Sequence, residues 1–100
     1  MYRIDFNAPI PVHFIGIGGI SMSGLAELLH TNGFRVSGSD THQSHVTKHL
    51  ESLGIPVAYQ QCAANIAGFS GLVVYTAAVK ENNPELQGAL RAGIPVMDRA

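Results

Sequence analysis

The chain has 100 residues, 46% hydrophobic and 13% charged, with a formal net charge of −1. That length suits one domain burying roughly 60 to 70% of its unfolded surface, and the near-neutral balance supplies no basic face for nucleic acid or an acidic membrane. Cys62 is the single cysteine, which excludes an internal disulfide and agrees with a reducing compartment. No apolar run nears the roughly 20 residues of a membrane span, and residues 1–6 lack the basic stretch and apolar core of a secretion signal, so a cytoplasmic domain is expected.

Residues 1–11 end in Pro9 and Pro11 and read as an irregular lead-in. Val12–Ile15 is a continuous apolar strand of the kind buried on both faces of a parallel sheet. Closely spaced glycines follow, and helical periodicity resumes with Ile20, Leu25, Ala26, Leu28 and Leu29 as the apolar face of a first helix that stops at Asn32-Gly33. Arg35–Gly38 is the second strand. Ser44–Leu53 is a second helix ending at Gly54, and Ile55–Tyr59 a third strand whose proline suits its first position or a sheet edge. Residues 60–70 form a loop with one helical turn near Ala63–Ile66, before an apolar fourth strand, Leu72–Tyr75. Asn83-Pro84-Glu85 starts a third helix with proline in its first turn, Gly93 closes it, and Ile94–Met97 begins a fifth strand. Alternating strands and helices with right-handed crossovers give an α/β, Rossmann-like, doubly wound parallel sheet of five strands, order 3-2-1-4-5, with helices on both faces.

In such a sheet ligands sit at the switch point between strands one and four, at their carboxyl ends. Gly16, Gly18 and Gly19 there allow a tight turn and the close approach of a diphosphate, while Ile20 and Ser21 open a helix whose N-H groups and positive dipole end suit an anion. Asp40 stands 22 residues after Gly18 with Ser39 before it, near the offset at which an acidic side chain bonds a ribose hydroxyl. Thr76, Ala77 and Ala78 face the glycines from the fourth strand. The predicted site is therefore Gly16–Ser21, Ser39, Asp40 and Thr76–Val79, with no catalytic residue and no metal.

Plainer readings apply elsewhere. His45 and His49 share a helix face at metal-ligand spacing, but no third ligand is evident and a solvated face is simpler. His13 and His30 read as structural, Met22 as packing material, Cys62 as a small buried or loop thiol, and Glu27, Lys48, Glu51 and Lys80 as solvated charge.

Several blocks in order carry a more specific likeness: His13–Ile20, Met22–Ala26, Val36–Asp40, Val73–Val79, Asn83-Pro84-Glu85, Gly93–Val96 and Arg99-Ala100. Together they resemble the Mur ligase family of peptidoglycan synthesis. The resemblance implies the first of three domains, covering residues 1–100, which holds the UDP part of UDP-N-acetylmuramate. ATP and Mg2+ would bind on a second domain in cis and a third would receive the amino acid. It also implies ATP-dependent amide formation, in which the muramate carboxylate becomes an acyl phosphate that L-alanine attacks. The family's Gly-Lys-Thr/Ser phosphate loop is absent here, so the expected role of these residues alone is substrate capture, with no cofactor of their own. Ser21 stands where the family has a further glycine, Gln60-Gln61 where relatives carry a histidine, and Thr76-Ala77 where two serines are common. These departures leave Ser21 either crowding the helix or donating to phosphate. Two rivals are compatible with the glycine turn and Asp40: the NAD-binding domain of an oxidoreductase, and a non-catalytic nucleotide-sensing module.

Overall fold

The computed structural model describes residues 4–99. The first three residues of the lead-in, and Ala100, lie outside the described residues. Five parallel strands, β1 (Val12–Ile15), β2 (Val36–Ser39), β3 (Val57–Ala58), β4 (Leu72–Tyr75) and β5 (Val96–Asp98), form one sheet in the order β3-β2-β1-β4-β5. The helices are α1 (Ile20–Thr31), α2 (His45–Ser52) and α3 (Pro84–Arg91), with a 3-10 turn at Ala63–Ile66. This is the order expected from the alternation of apolar strands and amphipathic helices. β1 is the switch strand, pairing with β2 on one side and β4 on the other.

The pleat sends alternate residues to opposite faces. Val12 and Phe14 of β1 join Leu72 and Val74 of β4 in a core under α1 and α2, closed by Met22, Ala26, Leu29 and Leu50. Ile15 and Val73 point the other way, to Leu86 and Ala89 of α3 and to Ile66. Each fully buried Val, Leu, Ile, Phe or Met among them contributes roughly 1.5 to 3 kcal/mol relative to exposure. His13 and Ser39 also face the α3 side and are buried, and their polar groups must therefore find partners within the protein.

Some boundaries and one helix face differ from expectation. The buried stripe of α1 is Met22, Ala26 and Leu29, whereas Ile20 is 91% exposed and Leu28 half exposed. At 100° per residue those two positions lie about 160° and 120° around the helix from Met22, so they leave the core side despite their apolar character. β2 runs one residue later than expected, because Ser39 is still in register with Ile15. β3 and β5 are shorter. Pro56 and Pro95 offer no N-H and only their carbonyls join the ladder, accepting from Gly38 and Val73, so strand geometry begins after each proline. No described helix is long and apolar enough to cross a membrane.

Candidate functional site

The glycine turn is fastened from β2. The carbonyl of Ser39 accepts the N-H groups of both Gly16 and Ile17, each at 2.9 Å, and Gly16 takes φ +85°, a conformation that a side chain would strain. Ile17 is fully buried against Gly38, where a Cβ would stand 2.7 Å from that of Ile17. Gly18 donates its N-H to Asp40 Oδ2 at 2.8 Å, and Asp40 Oδ1 accepts from Thr41 N at 2.8 Å. A Cβ at Gly18 would lie 2.6 Å from Asp40 Oδ2 and 3.0 Å from Thr47 Cγ2. The carboxylate, and not only a ligand, requires glycine there.

Gly19 then opens α1 in extended conformation (ψ 149°) without any side-chain cap. The N-H groups of Ile20, Ser21 and Met22 precede the first intrahelical bond and have no partner among the described residues. Such groups, at the positive end of a twelve-residue helix, bind anions.

Ser21 and Met22, next to Ile20, line a crevice of about 960 Å³ at the carboxyl ends of the strands, within the range of small-molecule sites. Gly16, Gly19, Ser21, Met22, Asp40 and Thr41 line one side, and Thr76–Lys80 with Asn82, Asn83 and Pro84 the other; Gln61 and Arg99 complete it. Lys80 and Arg99 bring two positive charges against the one carboxylate of Asp40, a balance that favours an anionic ligand. The Asn83 side chain is oriented by α3: its Oδ1 accepts from Glu85 N (2.9 Å) and Leu86 N (3.1 Å), so its amide donates to Gln61 Oε1 at 2.9 Å.

The crevice brings together eight residues of the predicted site: Gly16, Gly19, Ser21, Asp40, Thr76, Ala77, Ala78 and Val79. Ile17, Gly18, Ile20 and Ser39 do not line it. Ser39 is fully buried with its hydroxyl donated to Glu85 Oε1 at 2.7 Å, so its side chain cannot reach a ligand in the crevice. Gly18 has its N-H committed to Asp40, and Ile20 offers only its backbone. Ser21 is exposed at the crevice and crowds nothing. The donors of the fourth-strand loop are partly used within it: Ala78 N bonds Thr76 Oγ1 at 3.3 Å and Val79 N bonds Thr76 O at 2.9 Å.

Lys80, read as solvated charge, and Arg99 are both exposed and line the crevice, a placement that sequence reasoning did not assign. Their one available signal was position, just beyond the carboxyl ends of β4 and β5. Sequence reasoning also missed Glu85, a fully buried carboxylate whose oxygens bond Ser39 Oγ and His13 Nε2. Met22 is 2% exposed and packs in the core while its edge reaches the crevice. His49 lies 3.5 Å from Glu27 across the exposed faces of α2 and α1.

The profile of the Mur ligase family catalytic domain matches residues 11–100. The chain belongs to the Mur ligase family. UDP-N-acetylmuramate–L-alanine ligases of Agathobacter rectalis and Lachnoclostridium phytofermentans are each 60% identical to it over its whole length, which is 22% and 21% of theirs. Among solved structures, the UDP-N-acetylmuramate-alanine ligase of Thermotoga maritima matches 89% of this chain and 20% of its own at 38% identity, with a TM-score of 0.83. The UDP-N-acetylmuramate:L-alanyl-gamma-D-glutamyl-meso-diaminopimelate ligase of Neisseria meningitides matches 91% and 29% at 33% identity, with a TM-score of 0.82. This Mur ligase chain thus spans about a fifth of the length of the curated relatives it matches.

Proposed function

We infer that the crevice holds the uridine diphosphate part of UDP-N-acetylmuramate, and that the chain is the substrate-holding portion of a ligase that joins L-alanine to the muramate carboxylate in peptidoglycan synthesis, a cytoplasmic reaction. The observation that carries this reading is the run of N-H groups at Ile20, Ser21 and Met22 without a partner among the described residues, the last two belonging to a crevice that Lys80 and Arg99 also line. Diphosphate oxygens would accept from those N-H groups and from the Ser21 hydroxyl. Each charge-assisted bond contributes about 1.5 to 3 kcal/mol, and the two cations would offset the ligand's remaining charge. Asp40 keeps a second lone pair on each oxygen for a ribose hydroxyl, while Thr76 and Gln61 offer polar groups to the rest of the nucleoside.

ATP and Mg2+ belong to the proposed reaction of the whole protein. The residues described here supply no metal cluster of their own: no three His, Cys, Asp or Glu side chains converge among the described residues, and Asp40 is the one carboxylate lining the crevice. The role derived for this chain is accordingly to bind and orient the substrate, with the remaining domains acting in cis. Calorimetric titration with UDP-N-acetylmuramate, UDP and NAD tests the reading. Saturable heats with both uridine ligands and none with NAD are expected; a preference for NAD would overturn it.

A further inference from the structure

Glu85 and His13 are buried, ionisable and absent from the crevice lining, yet they connect its two walls. Glu85 Oε1 accepts the hydroxyl of Ser39 at 2.7 Å, Oε2 bonds His13 Nε2, and His13 Nδ1 lies 2.8 Å from Ser37 Oγ. Glu85 and Ser39 are fully buried and His13 is 3% exposed. A bond lost in such a place leaves a polar group with neither protein nor water to satisfy it, so each partner is held at bonding distance.

From Ser39 the connection reaches the glycine turn, because its carbonyl receives the N-H groups of Gly16 and Ile17 and the next residue, Asp40, receives that of Gly18. In the other direction the N-H of Glu85 bonds Asn83 Oδ1, and Asn83 donates to Gln61 Oε1, also in the crevice lining. We propose that Glu85 is a positioning residue for the nucleotide crevice, setting the glycine turn through Ser39 and the start of α3 through Asn83 at one fixed separation. The proposal rests on the nucleotide reading of the crevice, but its first test needs no ligand.

That test is amide hydrogen exchange by NMR on the ligand-free chain. Ser39→Ala removes only the hydroxyl that ties Glu85 to β2, and Ile55→Ala, a buried position at the amino end of the sheet, is the control for loss of stability alone. Normalised to core amides of β4, exchange at Gly16 and Ile17 is expected to rise about tenfold in Ser39→Ala and in Glu85→Leu, and to stay unchanged in Ile55→Ala. Glu85→Gln keeps an acceptor for Ser39 and offers an N-H to a neutral His13, so it is expected to restore most of the protection. Equal normalised exchange in Ser39→Ala and Ile55→Ala would overturn the proposal. Should Glu85→Leu fail to fold, Ser39→Ala alone decides it. In a second arm, UDP affinity is expected to fall about tenfold in the same two variants and to recover in Glu85→Gln. Absence of UDP binding by the unaltered chain would refute the nucleotide reading, while the exchange result would still decide the role of Glu85.

Discussion

Asp40 Oδ2 sits 2.8 Å from the backbone N of Gly18, so the carboxylate at the position associated with ribose recognition is first a fastener of the glycine turn. Its other oxygen holds Thr41 N. The turn is shaped before any ligand arrives, and this preorganisation lowers the ordering cost of binding.

This pairing predicts coupling between positions 18 and 40. Gly18→Ala brings a Cβ to 2.6 Å from Asp40 Oδ2 and should destabilise the chain by about 1 to 3 kcal/mol. In an Asp40→Ala background the same change should cost less, since the clashing oxygen is gone. A double-mutant cycle by urea unfolding measures this; strict additivity would show that the contact carries no energy.

Ile20→Pro separates binding from folding. Ile20 is the first residue of α1, its side chain is 91% exposed, and Gly19 before it is extended, all of which suit proline at that position. Stability should change by no more than about 0.5 kcal/mol. UDP affinity should fall about tenfold, because one of the three N-H groups proposed to hold the diphosphate is deleted. Calorimetry on the folded variant checks both; unchanged affinity would remove Ile20 N from the anion site.

Lys80→Ala and Arg99→Ala should each weaken UDP binding about three- to tenfold at low ionic strength, with the loss shrinking as salt rises, as expected of partly exposed charges. Titrations at two salt concentrations measure the difference. A loss independent of salt would point to a packing role in place of charge.

Gly71→Ala tests the entry to β4. A Cβ there would lie 2.1 Å from the carbonyl oxygen of Pro11, the same oxygen that accepts Leu72 N at 2.9 Å. Backbone stands on both sides, so relief requires moving β1 against β4, at a cost of about 3 kcal/mol. Thermal unfolding reads it directly.

The sheet order was legible because Val12–Ile15 and Leu72–Tyr75 are uninterrupted apolar runs and each helix carries a local stop or start signal, such as Gly54 after the second helix or Asn83 before Pro84. The glycine turn was legible for the same local reason. The surroundings of Glu85 were not: an acidic residue in the first turn of a helix ordinarily faces solvent near the dipole, and only the β1 and β2 registers bring His13 and Ser39 beneath it. Lys80, read as solvated charge, and Arg99, quoted only for the family likeness, were not assigned to the crevice, since a charge comes to line a crevice through where two loops meet. Ser39 was misread because its neighbour Asp40 points to the crevice, and in a strand successive side chains point to opposite faces.

The most direct test of the account is an NMR titration of the chain with UDP, following the backbone amides. Saturable shifts largest at Ile20, Ser21 and Met22, with smaller ones at Asp40, Thr76 and Arg99, are the predicted result. Shifts confined to other surfaces, or none at these amides at saturating UDP, would contradict the placement of the diphosphate at the start of α1.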